Sequence, residues 1–506
     1  MNYAVFYYFC PHKSNRTLMK AKTIFLLICA AMGINLWLCG CGEDRWAAYA
    51  TQTATDRWID DSMRVWYYWA EEIPHTNKLN YFQAPATFFK SLLSSQDRFS
   101  TIDSLKSDDA TTKGFTPSRT RSIASPECSY GIEYNLMQTD NDTYLAHVLY
   151  CVPESPADEA GVIRGDWIMA LNGEPLTKSN YMNLLDGGEV EITVGTYSAE
   201  KEAVVAYNEN PRKLTAARAV DDNPVHCVRA YDVNGTQVGY LTYNHFSRGR
   251  YNGTEYDEAL REASAWLASA NVTELVLDLR YNNGGYVSCA QLLCTLLAPQ
   301  EALGKELATM EYNSRQGNAK LMMEPSLVGN GANLNLKRLF VLTGKETASA
   351  SELVMNCLSP YMEVIQIGAT TVGKNMGART FENEEQMVTM TPLVCKIYNS
   401  LGESDYEKGF APDSPLRIDE NQYLAHFLPF GDPQETLLST ALSLIAGGNG
   451  DNDGNLSGSG NAAKSISESS NTARSISGSG SLPAPAKVGR EANSSLQRFR
   501  STMLVR

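Results

Sequence analysis

The sequence predicts a multidomain α/β protein, and three observations carry that expectation. From about Val225 to Ile445, nearly all-apolar strands alternate with amphipathic helices, the pattern of a sheet covered on both faces. Ahead of this core come a helical stretch and a set of short strands separated by glycine turns. Beyond Ala446 the composition changes abruptly to Gly, Ser and Asn, which bury too little apolar surface to fold. A chain of 506 residues, set against domains of roughly 100 to 200 residues, leads us to expect three folded units between two terminal segments.

The N-terminal segment, residues 1–41, has the layout of an export signal. Lys20 and Lys22 precede an apolar stretch from Thr23 to Leu38, which ends in Leu38-Cys39-Gly40-Cys41. A plain transmembrane anchor is the alternative that the apolar length permits. Met19-Lys20 offers a second start for the same signal.

Residues 42–112 read as helical. Ile59, Met63 and Trp66 recur at four- and three-residue spacing and make one aromatic face, with a second helix near Ala86 to Ser94. We read that face as packing against the next domain rather than as a grip on substrate. A polar linker from Ser104 to Ala124 follows. In residues 125–210, Ala146 to Val152 is a strand. Ser155 to Val162 is a helix, and Gly165-Asp166-Trp167-Ile168-Met169-Ala170-Leu171-Asn172-Gly173 is a turn and strand.

In the unit spanning 211–446, Gln237 to Tyr243 and Thr273 to Leu279 are strands, and Tyr256 to Ala268 is a helix with Leu260, Ala263 and Leu267 on one side. Leu339-Phe340-Val341-Leu342 is a buried strand. Pro429 to Glu435 caps a last helix, Thr436 to Ile445. Residues 447–506 are expected to be a disordered tail with a solvated end.

Composition narrows the function. Charged residues at 20% and hydrophobics at 43% are ordinary globular values, and a net charge of −14 argues against nucleic acid as a partner. Of eleven cysteines, Cys10, Cys29, Cys39 and Cys41 fall in the signal region, which leaves an odd number. Cys289, Cys294, Cys357 and Cys395 sit in apolar runs and are expected to be free core thiols. No CxxC or HxxxH spacing supports a metal site, and no cofactor is expected.

Two segments carry chemistry. Thr347-Ala348-Ser349-Ala350-Ser351-Glu352 places small residues between a buried strand and an apolar helical run, so Ser349 falls at a helix N-terminus, where amide donors face the reacting atoms. Val372-Gly373-Lys374 supplies an amine. A serine hydroxyl needs an adjacent base, and a lysine serves only when burial makes much of it neutral.

With Leu275-Val276-Leu277-Asp278-Leu279-Arg280-Tyr281-Asn282-Asn283-Gly284-Gly285, these segments resemble the C-terminal processing peptidases, serine proteases of the S41 class. The resemblance runs from about Ser129 to Ile445. It implies a core built as a spiral of ββα units, similar to ClpP and the crotonases. It also implies a Ser349–Lys374 dyad, with an oxyanion hole from Gly284, Gly285 and Ala350.

Residues 125–210 resemble a PDZ module, with Tyr130-Gly131-Ile132 as its carboxylate loop and peptide-binding edge. Glu133 beside that loop would oppose an anionic terminus if it pointed inward. A PDZ kept as an internal scaffold is the alternative. The signal resembles a bacterial lipoprotein lipobox with Cys41 as the acylated residue. Gly42-Glu43-Asp44 resembles the export tag of surface lipoproteins in Bacteroidetes.

Together these imply a serine endopeptidase acting on unfolded or C-terminally exposed proteins, held in the cell envelope by an outer-membrane lipid anchor and facing either the periplasm or the cell surface. The alternative is a catalytically idle PDZ scaffold. Its support is Ala378, which stands where many relatives place a glutamine that orients the lysine; Asn375 or Thr380 are possible substitutes. His245 is read as a core or cleft-lining residue.

Overall fold

The computed structural model describes residues 46–104, 128–140, 142–184, 187–250, 253–447, 464–466, 486, 488–498 and 502–505. The export signal, its cysteines and almost all of the linker after Ser104 lie outside the described residues.

Helix α1 (Trp46–Trp66) and the short α2 (Pro85–Ser91) pack through Ile59, Met63, Phe88, Phe89 and Leu92. The fully buried ring after Met63 is Tyr67, one position beyond the expected Trp66. Trp66 is half-buried instead, with the Arg379 guanidinium over its ring and Phe381 beside it. The aromatic face therefore joins the N-terminal unit to the core, as packing surfaces do.

The PDZ-like unit is built on β1 (Ile132–Gln138), β2 (Thr143–Cys151), β3 (Trp167–Leu171) and β4 (Val190–Ser198), paired antiparallel in that order. Tyr134, Leu136, Val148, Ile168, Ile192 and Val194 form its core. The helix expected over Ser155 to Val162 is a single turn, Pro156–Glu159, capped by the Ser155 side chain.

The central sheet follows from strand chemistry. β5 (Val225–Val233) and β6 (Thr236–Tyr243) form a hairpin; helix α3 (Glu255–Ser269) then returns the chain to β7 (Glu274–Asp278), parallel to β6. Leu260, Ala263, Ser264 and Leu267 are the buried face of α3, the spacing of one helical side. After the short β8 (Gly284–Tyr286) come α4 (Val287–Leu297) and the hairpin β9 (Glu306–Tyr312) and β10 (Asn318–Met322). β11 (Arg338–Thr343), α5 (Ala350–Leu358) and β12 (Glu363–Gly368) extend the sheet to the order β12-β11-β7-β6-β5, with the tail segment Lys464–Ile466 paired antiparallel beside β5.

Alternation splits each central strand between two cores. Leu275, Leu277, Leu339 and Val341 face α3, α4 and α5, whereas Val276, Phe340 and Leu342 face the last helix, α6 (Thr436–Ile445), through Leu437, Leu438 and Ala441.

A second sheet contains β8, β13 (Met376–Ala378), β14 (Leu393–Asn399), β9 and β10. Its sixth strand corrects the expectation of a wholly disordered tail. β15 (Arg490–Ser494) pairs antiparallel with β1 of the PDZ-like unit, and β16 (Thr502–Leu504) lies between β8 and β13, parallel to both. Strand addition is driven by backbone hydrogen bonds, so a polar, Ser-rich segment can do it with little apolar pattern.

Candidate active site

The site is assembled where β7 and β11 end. Strand β7 runs into Leu279-Arg280-Tyr281-Asn282 and the glycine turn, and this turn docks on the segment before α5. Ala348 N–H donates to Asn282 O at 3.1 Å, Ser351 Oγ donates to the same oxygen at 3.0 Å, and Thr347 Oγ1 donates to Leu279 O at 2.7 Å. The small residues of Thr347 to Ser351 thus let two backbone segments approach closely.

Ser349 is the N-cap of α5 with φ 65° and ψ −112°. Such a backbone is unfavourable for a residue with a Cβ and persists only where surrounding contacts impose it. Those contacts hold its amide, not its hydroxyl. Ser349 is 0% exposed, and its Oγ is buried without a hydrogen-bond partner.

The residue that the sequence reading missed is Glu352, at the third position of α5 and itself fully buried. Its Oε2 accepts from Ser349 N–H at 2.7 Å and from Lys374 N–H at 2.8 Å. Oε1 accepts from Thr371 Oγ1 and Gly373 N–H, both at 2.6 Å. One carboxylate oxygen therefore ties the serine segment to the lysine segment. The signal was present in the sequence: serine followed three positions later by glutamate is a capping box, here closed on its glutamate side. Burial pushes the Glu352 carboxyl above its ordinary value, and these four donors pull it partly back.

Lys374 is 1% exposed. Its Nζ lies 5.2 Å from the centroid of the Phe99 ring, and the neighbouring Arg98 donates to Gly373 O at 3.2 Å and Glu407 O at 2.8 Å. The N-terminal unit thus walls off the amine from solvent. This role of 98–99 had no motif to announce it, because it depends on a tertiary contact between distant segments.

The glycine turn divides its predicted roles unequally. Gly284 N–H donates to Asn282 Oδ1 at 2.9 Å, so it is not directed at a reacting oxygen. Gly284 O and Tyr286 N–H are both bonded to Phe246, at 3.0 and 2.8 Å. Strand alternation then turns the N–H and C=O of Gly285 to the opposite side, towards β16. Gly285 has φ 143°, and a Cβ there would lie 2.1 Å from Phe246 O, which explains glycine at this position. Ala350 is the first residue of α5, so its N–H has no partner within the helix.

The expected substitutes for the orienting glutamine are engaged elsewhere. Asn375 Nδ2 donates to Ser404 O at 2.6 Å and Glu407 Oε1 at 3.0 Å, and Thr380 Oγ1 pairs with Thr391 Oγ1 at 3.1 Å. Ala378 is fully buried in β13 beside Met376 and Leu393. His245 is bonded to Ser247 Oγ at 2.8 Å and Asp222 O at 2.9 Å, consistent with a structural role. Cys289, Cys294, Cys357 and Cys395 are buried free thiols whose burial raises their pKa values, so none is an activated nucleophile. Among the described residues no cluster of His, Cys, Asp and Glu is suited to a metal ion.

On the PDZ-like unit, Gly131 has φ 75°, and its N–H donates to Ser129 Oγ at 3.1 Å rather than to an outside ligand. Tyr130 O and Gly131 O accept from Ala157 and Val152. Glu133 is buried, and its Oε2 accepts from Ser495 Oγ at 2.5 Å. From this unit Arg164 reaches into the core: its guanidinium donates to Tyr281 OH at 2.6 Å and to Glu420 Oε2 at 2.7 Å. Tyr281 is the residue next to Asn282, so the PDZ-like unit is bonded to the strand end that carries the glycine turn.

Comparison with known proteins agrees with this layout. The Peptidase family S41 model matches residues 237–416, the Peptidase S41 N-terminal domain 54–101, and a PDZ domain 147–194. A solved structure described as a putative S41 protease from Bacteroides fragilis is 39% identical, covering 77% of this chain and 97% of that one, with a TM-score of 0.69. The chain belongs to peptidase family S41. This S41 chain is also similar to the carboxyl-terminal-processing protease of Synechocystis sp., 25% identical over 320 residues that make up 63% of this chain and 68% of the relative. It is similar to the protein of that name from Picosynechococcus sp. as well, 27% identical over 317 residues covering 60% and 69%. The S41 peptidase thus consists of an N-terminal helical unit, a PDZ domain and a protease core, and it is a serine-type peptidase of the carboxyl-terminal-processing group that takes protein or peptide substrates.

Proposed function

We propose that the protein is a Ser-Lys endopeptidase of the cell envelope that cleaves unfolded proteins or exposed C-terminal tails. In this reading Lys374 takes the proton of Ser349 Oγ as that oxygen attacks the scissile carbonyl, then delivers it to the leaving amine. The N–H groups of Gly285 and Ala350 receive the oxyanion. Water hydrolyses the acyl-enzyme, with Lys374 again as the base.

The single observation that carries the reading is the shared carboxylate oxygen: Glu352 Oε2 bonds the amides of both Ser349 and Lys374, so the two residues are held on one node. The hydroxyl is left without a partner, and the amine is buried beside the Phe99 ring. The PDZ domain would select tails by strand addition along β1. Acylation of Cys41 would supply the membrane anchor, with several acyl chains needed for stable attachment.

The test is cleavage of denatured casein by the full chain and by its Ser349→Ala and Lys374→Ala variants. Each variant is expected to lose roughly 10³-fold or more in kcat/KM with an unchanged Tm, since removing either member of such a unit costs nearly as much as removing both. Retention of activity in Lys374→Ala would contradict the assigned base.

A further inference from the structure

We propose that the segment from Arg490 to Val505 is a ligand in cis, a built-in occupant of both peptide-binding surfaces, and that it keeps the protease closed until a substrate displaces it. The proposal rests on the assignment of Ser349 and the glycine turn to the active site.

The segment is placed by many independent contacts. Ala486 N–H donates to Gln422 O at 2.7 Å. At Gly489 a Cβ would lie 2.4 Å from Gln138 O, so the chain approaches β1 as closely as only glycine allows. Arg490 to Ser494 then add to β1 antiparallel, in the register Arg490 to Gln138 and Ser494 to Asn135, running towards the carboxylate loop. Antiparallel addition with the C-terminal end at the loop is the polarity of a PDZ ligand. Ser495 Oγ accepts from Tyr134 N–H at 2.8 Å and donates to Glu133. The inward-pointing Glu133, which would repel a terminal carboxylate, thus receives a hydroxyl from a strand that passes through. Lys345 of the core pairs with Glu491, and Leu496 is buried among Tyr150, Val152, Tyr281 and Phe427.

The second half enters the catalytic cleft. Thr502, Met503 and Leu504 stand opposite Gly284, Gly285 and Tyr286, and Val505 N–H donates to Ala378 O at 2.9 Å. Met503 and Val505 join the main core. Gly285 directs its N–H to this strand, so the donor assigned to the oxyanion is covered by the tail. Without β16, β8 and β13 would present two facing strand edges, an arrangement that takes up an extended peptide. The occupant also defines what fits: an extended strand with medium-sized aliphatic side chains.

Because the tail is tethered, its effective concentration at the cleft is on the order of millimolar, and a substrate must exceed that or bind more tightly. Both halves belong to one stretch of chain, so a peptide that takes the β1 edge is expected also to loosen the strand in the cleft.

The test uses the full chain and its Met503→Asp/Val505→Asp variant, in which two buried apolar anchors become charged. Three measurements are made: casein cleavage, covalent labelling of Ser349 by a fluorophosphonate, and binding of a synthetic peptide with the sequence 486–506. The variant is expected to label and cleave at least about 10-fold faster, to lose exchange protection at the Val505 amide, and to capture the peptide that the unsubstituted chain does not. Equal labelling and cleavage rates, with no peptide captured by the variant, would overturn the proposal. If neither chain cleaves or labels, yet the variant loses protection at Val505 and captures the peptide, the tail is a cis ligand as proposed, and the Ser349 assignment is what fails.

Discussion

Two buried glutamates, Glu352 and Glu420, flank the segment from Arg280 to Gly285, and they are solvated in opposite ways. Glu420 faces cations: Arg280 and Arg164 donate to its Oε2 at 2.6 and 2.7 Å, and Tyr281 OH donates to its Oε1 at 2.6 Å. Glu352 receives three backbone N–H groups and one hydroxyl, with no cation among these donors. The pKa values diverge accordingly. Burial opposes ionisation in both, but two guanidinium groups bring Glu420 down to about 2, whereas dipoles alone leave Glu352 above its ordinary value.

Under the proposed function, the difference separates a cluster that serves cohesion from one that serves the reaction. Around Glu420 the charges close on one another: Arg280 also bonds Asp278 and Glu435, and that network joins PDZ domain to core. Around Glu352 every donor is backbone or threonine, and the neighbouring Ser349 Oγ has no partner. A hydroxyl kept buried and unsatisfied beside a carboxylate that binds three amides and one threonine is what the proposed nucleophile requires.

Breaking the Glu420 side is expected to have the larger effect on stability. Glu420→Ala leaves two buried guanidinium groups short of an anion and should cost about 3 to 5 kcal/mol, read as a drop in the denaturation midpoint. The contrast sharpens with pH. A carboxyl whose folded pKa is depressed contributes stability that is present above its unfolded value and lost as pH falls through the folded one. Stability should therefore decline between about pH 4.5 and about pH 2 in the unsubstituted chain, and more shallowly in that window in Glu420→Gln.

Breaking the Glu352 side should act first on catalysis. Glu352→Gln cannot accept all four donors, so the serine and lysine segments lose their common anchor; a displacement near 1 Å is enough for roughly a 10²-fold loss in kcat. The accompanying fall in denaturation midpoint should be smaller than for Glu420→Ala. The opposite ranking, with Glu352→Gln unfolding the protein while the surviving fraction remains fully active, would break the comparison.

Much of this was legible in the sequence because it is local. The strands at 237–243 and 273–279, the helix face of Leu260, Ala263 and Leu267, and Ser349 at a helix start all follow from periodicity and small-residue signals, and each is found. What the sequence concealed depends on contacts between distant segments. Glu352 was visible as part of a motif, but its bonds to Thr371, Gly373 and Lys374 exist only once β11 and β12 lie side by side. Phe99 over Lys374 joins two units. The tail was hidden by its composition: Ser and Gly around Arg490 dilute the apolar signal, while the docking uses backbone at β1 and, among the described residues, Leu496, Met503, Leu504 and Val505 as buried apolar anchors. Gly284 was misassigned because a glycine pair reads as two donors, and only the fold shows that Asn282 takes one of them.

The central claim is that the buried hydroxyl of Ser349 is the nucleophile and Lys374 its base. Its most direct test is fluorophosphonate labelling of the Met503→Asp/Val505→Asp chain with the modified peptide identified, in the presence and absence of Lys374→Ala. A single adduct is expected, on Ser349, and it disappears when Lys374 is replaced. An adduct on another residue, or undiminished labelling of Ser349 without the lysine, would contradict it.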